Sequence, residues 1–179
     1  MLTIKCTDSS SYVNRTKYNA DIADLTIAFA REFNTAGEKL TKMLAGNKYM
    51  KISLYDNIKY ISIVNDIIKE ITKRNVKTLN IAGNGIYTLN RYGITQESIN
   101  KLVYIVLYAV NEKYTISKIY TGGQTGVDLA GAIAGYKLGI DVEVTMPAGY
   151  KQRYIDRRDV YSNEESIRNM IIEYSEKLE

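Results

Sequence analysis

Ile119-Tyr120-Thr121-Gly122-Gly123-Gln124-Thr125-Gly126-Val127-Asp128-Leu129-Ala130-Gly131-Ala132-Ile133-Ala134-Gly135 reads as a short apolar strand, a glycine-rich turn and a helix of small and aliphatic residues. This stretch decides the fold class. Gly122, Gly123 and Gly126 permit a sharp turn and bring the backbone close to whatever lies above it. Thr125, followed three residues later by Asp128, has the spacing of a capping box, so a helix is expected to start there. A helix start presents unpaired N–H groups and the positive end of the dipole, which together suit a phosphate or a carboxylate. The alternative is a tight strand-to-helix turn with no ligand, and the glycines alone do not separate the two. Ala130, Ala132, Ala134 and Gly135 are small enough to seat the helix closely on a sheet.

Outward from this stretch, strand and helix patterns alternate. Strands are expected at residues 2–5, 23–29, 48–54, 76–82, 118–121 and 141–145. Residues 9–11 read as a loop leading into residues 12–19, for which no element is assigned. Thr35 and Glu38 repeat the capping-box spacing and open a helix that stops near Gly46. Ile63, Ile67, Ile68 and Ile71 fall on one helical face of residues 61–74. Residues 95–113 read as a long helix, apolar over most of its surface and so expected to be well buried. Ser162 and Glu165 offer a capping box for a final amphipathic helix.

Strands separated by helices of crossover length imply an α/β, Rossmann-like three-layer domain with a mainly parallel sheet. No repeat, low-complexity tract or linker interrupts the chain, so residues 1–179 are expected to form one domain. In open sheets of this kind, ligands bind at the carboxyl ends of strands near a switch in strand order. The polar and glycine-rich loops at 34–37, 83–85, 122–126 and 147–149 all follow strands, and four such loops can share one rim.

Composition narrows the chemistry. At 179 residues and 45% apolar content the chain can bury a proper core. No run reaches the roughly 18 apolar residues of a membrane span, and the N-terminus lacks a signal-peptide pattern, so a cytoplasmic location is expected. Cys6 is the single cysteine, which excludes an internal disulfide. The chain has no histidine, which excludes histidine bases and Cys/His zinc sites. The net charge of +4 is modest. Its densest basic stretch, Lys151, Arg153, Arg157 and Arg158 broken by Asp156, reads as a solvated face, with a local anion contact as the sharper option. No basic stripe points to duplex nucleic acid. Abundant Tyr, Ile, Asn and Lys suggest a low-GC coding genome, bacterial or phage.

The arrangement Ile81-Ala82-Gly83-Asn84, long helix, Gly122-Gly123-Gln124-Thr125-Gly126-Val127-Asp128, helix, strand resembles the SLOG superfamily of Rossmann-like nucleotide-binding domains. Within it the glycine run is most similar to the putative molybdenum-cofactor carrier branch. Met146-Pro147-Ala148-Gly149 resembles the Pro-x-Gly element that follows the next strand there. Features of that branch's second half resemble the N-terminal Arg15-Thr16-Lys17-Tyr18-Asn19, Asp24-Leu25-Thr26 and Asn34-Thr35-Ala36-Gly37-Glu38. The order therefore resembles a circular permutation. The resemblance implies a bound nucleotide or nucleotide-derived ligand and a homodimer or higher homo-oligomer, with the apolar helix 95–113 as the candidate interface. The Pro-Gly-Gly-x-Gly-Thr-x-x-Glu run of the phosphoribohydrolase branch is missing, and Glu38 after Gly37 only partly echoes it.

The candidate ligand-binding residues are Arg15, Asn19, Asn34, Thr35, Ala36, Gly37, Gly83, Asn84, Gly122, Gly123, Gln124, Thr125, Gly126, Asp128 and Arg153. Thr35, Ala36 and Gly37 form a second helix start suited to an anion. Asp128 holds a ribose hydroxyl or caps its helix, and Arg153 clamps a phosphate or stays on the surface. The expected function is binding of a small phosphorylated ligand, a nucleotide or an ADP-ribose-like signal, without catalysis. In a phage, such a binder would sequester a nucleotide immune signal. The alternatives are a nucleotide N-glycosidase, with Glu38 or Asp128 as acid/base, and a molybdenum-cofactor carrier. No metal site is expected.

Overall fold

Six strands form one sheet: β1 (Leu2–Cys6), β2 (Leu25–Ala30), β3 (Tyr49–Ser53), β4 (Thr78–Gly83), β5 (Lys118–Thr121) and β6 (Asp141–Met146). The computed structural model describes residues 1–55 and 59–178. The order across the sheet is β1-β6-β5-β4-β2-β3, and every neighbouring pair is parallel. Parallel strands need crossovers that cover both faces, so their inner strands are buried and largely apolar. All of β2 is buried, as is β6 from Val142 onward.

The crossovers are α1 (Tyr12–Ile22), α2 (Ala36–Ala45), α3 (Tyr60–Arg74), α4 (Ile86–Asn90), α5 (Gln96–Asn111) and α6 (Val127–Lys137), and α7 (Glu164–Glu176) ends the chain. α1 packs on α2, whereas α5 packs on α3 and α6, and α6 on α7. The two groups cover opposite faces, giving the α/β Rossmann-like three-layer domain that the alternation implied. From the adjacent pair β2 and β4 the chain departs in opposite directions, to β3 at one edge and to β5 and β6 on the other side. Right-handed crossovers in opposite directions lie on opposite faces, so a crevice opens between the ends of β2 and β4.

Several local expectations are corrected. Residues 12–19, left unassigned, lie in α1. Its buried residues are Thr16, Asn19 and Ala20, so it carries no apolar period to detect. Arg15 and Asn19 are therefore on a helix. Thr125 does not cap α6: the cap position is Gly126, with no side-chain bond, and the Thr125 hydroxyl donates to the Arg153 carbonyl. Asn163, not Ser162, caps α7, accepting from the Ser166 N–H at 2.9 Å. Thr35 does cap α2, accepting from the Glu38 N–H, but the Glu38 carboxyl turns to Tyr49, so the box is only half formed. α5 buries one face (Ile99, Val103, Val106, Leu107, Val110), while Tyr108 on the other is 48% exposed. The basic stretch is not wholly solvated: β7 (Gln152–Arg153) and β8 (Asp159–Val160) make an antiparallel hairpin, and Lys151 is buried. Among the described residues, no helix is long and apolar enough to cross a membrane.

Candidate functional site

A cavity of about 290 Å³ fills the crevice between the ends of β2 and β4. Its walls come from the N-terminal turns of α1 and α2, the loop after β4, α4, the loop after β5 and the β7–β8 hairpin. Of the residues the sequence singled out, Arg15, Thr35, Ala36, Gly37, Glu38, Gly83, Asn84, Gln124, Asp128 and Arg153 line it. Asn19, Asn34, Gly122, Gly123, Thr125 and Gly126 are not in its lining. Three of the four loops on the expected rim meet here, and Pro147–Gly149 lies away from it.

The glycine turn after β5 is filled by protein. An added Cβ on Gly122 would run into the Arg15 guanidinium and lie 2.5 Å from Asp128 Oδ2, so the glycine leaves room for that ion pair. Gly123 (φ +66°) packs against Val144 and Met146, and Gly126 (φ +100°) packs against the Asn84 carbonyl. The N–H groups of the α6 start are spent internally. Gly126 donates to the Gln96 side chain (2.7 Å), Val127 to the Asn84 carbonyl (3.2 Å) and Leu129 to the Gln124 carbonyl (2.9 Å). These three N–H groups at the α6 start are therefore not free for an anion. The α2 start, with Thr35, Ala36 and Gly37 on the cavity wall, is open.

Asn84 shapes the entrance to α2. Its side chain accepts from the Arg31 and Glu32 N–H groups, both at 2.9 Å, and donates to the Glu32 carbonyl. Gln124 performs the matching task opposite, accepting from the Arg153 N–H at 2.6 Å and so docking the hairpin on the cavity. Gln152 reinforces it by donating to the Gly123 carbonyl at 2.7 Å.

Two carboxyl groups face this space. Asp128 receives Arg15 Nη1 at 2.6 Å, and both side chains are almost wholly buried. Burial pushes the Asp128 carboxyl up and Arg15 pulls against it, leaving it raised. Removing either partner of such a pair strands a buried charge, at a cost of about 3–5 kcal/mol. Glu38 is also buried, and burial together with the nearby Asp128 charge pushes its carboxyl up to about 7, against a hydrogen bond from Tyr49. Tyr49 is in turn raised by its own burial and by Glu38. One carboxyl is thus paired with a cation while the other changes charge near neutrality. Two buried carboxyl groups in a cleft, both raised and one answered by arginine, mark a candidate acid/base site.

α1 is positioned by a second charged cluster beneath the cavity. Glu143 on β6 takes Lys5 and Lys118, each at 2.6 Å, and the Tyr18 hydroxyl at 2.8 Å. Burial raises the Glu143 carboxyl, but these three donors outweigh it and hold it down to about 2. Tyr12, one of the cavity residues the sequence did not flag, stands one turn before Arg15 and Thr16 on the same face of α1. Tyr87, Thr88 and Thr41 are likewise new members of the wall. A helical reading of residues 12–19 would have placed Tyr12, Arg15, Thr16 and Asn19 on one stripe. Compared with known protein families and curated proteins, the chain matches no family model and no curated sequence.

Proposed function

We propose that this chain binds a small phosphorylated ligand of nucleotide type in the crevice between β2 and β4. The observation that carries the reading is the meeting, in one cavity at the switch in strand order, of an open helix start with Arg15 and Arg153. Planar guanidinium groups are strong paired donors to phosphate, and the N–H groups of an open helix start donate to ligand oxygen atoms. A cavity of about 290 Å³ stands at the lower end of ligand pockets, roughly 300–1,000 Å³, and suits one nucleotide. The likeness of Gly122-Gly123-Gln124-Thr125-Gly126-Val127-Asp128 to the SLOG superfamily supports the same ligand class.

A second reading, hydrolysis of the N-glycosidic bond of a nucleoside monophosphate, is favoured by one observation. The Glu38 carboxyl lies in the cavity and titrates near neutrality, where it can hand a proton to a departing base. The two readings part in one experiment. The purified protein is incubated with a nucleotide panel, and both the retained and the released small molecules are identified by mass spectrometry. Intact nucleotide recovered from the protein supports binding. Free base together with ribose phosphate supports hydrolysis, and Glu38→Gln should then lower its rate about 100-fold or more. Neither retention nor release of any phosphorylated compound would overturn both.

A further inference from the structure

The cavity is electrically lopsided. On one side the Tyr12 ring gathers three cations: the Lys151 ammonium lies 4.4 Å from its centroid, and the Arg153 and Arg15 guanidinium carbons lie 5.5 and 5.6 Å away. The carboxylates that answer them are Asp128, on Arg15, and Asp159, which takes Arg153 Nε at 2.7 Å and Nη2 at 3.0 Å and stands 3.7 Å from Lys151. Three cations against two carboxylates leave one positive charge in excess. Asp159 occupies one edge of the Arg153 guanidinium, whose five donors leave its other edge without an acceptor among the described residues. On the other side stands the α2 start, where Glu38 is the third residue of the helix and lines the same cavity with a buried carboxyl group. An anion placed there would meet Glu38 and, behind it, Asp128.

Resting on the binding reading above, we infer that the ligand is a monophosphate held in one orientation. Its phosphate sits between Arg15 and Arg153 over Tyr12, and its sugar hydroxyls sit at the α2 start against Glu38. A carboxyl group accepts hydroxyl donors in either protonation state, whereas it repels a phosphate when ionised. Arginine offers a phosphate the paired, planar donors that a helix start lacks. The β7–β8 hairpin then acts as the element that selects for the phosphate, since it carries Arg153 and the Asp159 that aims it.

Calorimetric titration of AMP and adenosine against the wild type, Arg153→Gln and Asp159→Asn tests this orientation. In the wild type AMP should bind more tightly than adenosine. Arg153→Gln should weaken AMP about ten-fold or more and leave adenosine unchanged, as expected for loss of a charge-assisted contact. Asp159→Asn loosens the same hairpin but frees Arg153, so AMP affinity should hold or rise. If Arg153→Gln and Asp159→Asn weaken AMP and adenosine alike, Arg153 only braces the hairpin and the inference is overturned while the binding reading stands. If the wild type binds neither compound, GMP, CMP and UMP with their nucleosides are titrated in the same way, and failure of every monophosphate overturns the inference, while failure of the whole nucleotide panel above overturns the binding reading.

Discussion

Glu38 concentrates the chemistry of the molecule at one residue. Its carboxyl is raised from an ordinary 4.5 to about 7 by burial and by Asp128. The folded protein therefore holds this proton more tightly than the unfolded chain does. The sign follows directly: stability from this group is fully present below about 4.5 and is lost as the pH climbs through 7. A shift of that size corresponds to on the order of 3 kcal/mol. Glu38→Gln removes the group, so urea unfolding should show the variant matching the wild type near pH 4.5 and exceeding its stability by up to about 3 kcal/mol at pH 8. An equal difference between variant and wild type at both pH values would contradict the account. Glu38 and Asp128 were legible as acids near the rim because each follows a strand and a loop. Their unequal states were not, because Arg15 reaches Asp128 from a segment 113 residues away in sequence.

At the scale of elements, apolar periodicity found the helices that cover the core and missed the one that serves the site. α3 shows the pattern openly, burying Val64, Ile67 and Ile71. α1 instead lays Thr16, Asn19 and Ala20 inward, and its register is held by the Lys5–Tyr18–Glu143–Lys118 cluster that only the folded sheet assembles. Helix starts were found to within a residue or two where side chain and backbone agree, as at Thr35 and Thr95. The α7 start slipped by one residue, because Ser162 and Asn163 are both good caps and the Asn163 side chain reaches the Ser166 N–H. Asn163→Ala should therefore cost about 1 kcal/mol in chemical denaturation, while Ser162→Ala should cost a few tenths at most. The reverse ranking would return the cap to Ser162. The β7–β8 hairpin left no signal, since its two-residue strands are shorter than any period and its docking rests on Gln124 and Gln152.

For the whole molecule, the alternation of strands and helices was enough to set the parallel sheet, and the sheet's handedness then places the crevice. The sequence put its weight on the α6 start, of which Gln124 and Asp128 line the cavity. Glycines at 122, 123 and 126 answer to protein neighbours, and the start that opens on the cavity belongs to α2. Spacing alone cannot tell a glycine that faces a ligand from one that faces a side chain arriving from elsewhere in the fold. Gly37 gives the most direct access to the central claim. It lies on the cavity wall, and an added Cβ there meets nothing within 4 Å, so the backbone accepts a side chain at this edge of the cavity. The decisive measurement is thermal unfolding of the wild type and Gly37→Trp with and without AMP. At about 100 times its dissociation constant a ligand adds about 2.7 kcal/mol of stability. The account predicts a clear rise in the wild-type midpoint, no rise in Gly37→Trp, and equal midpoints for the two proteins without ligand. An equal rise in both proteins would show that AMP binds outside this cavity, and no rise in the wild type would show that it does not bind.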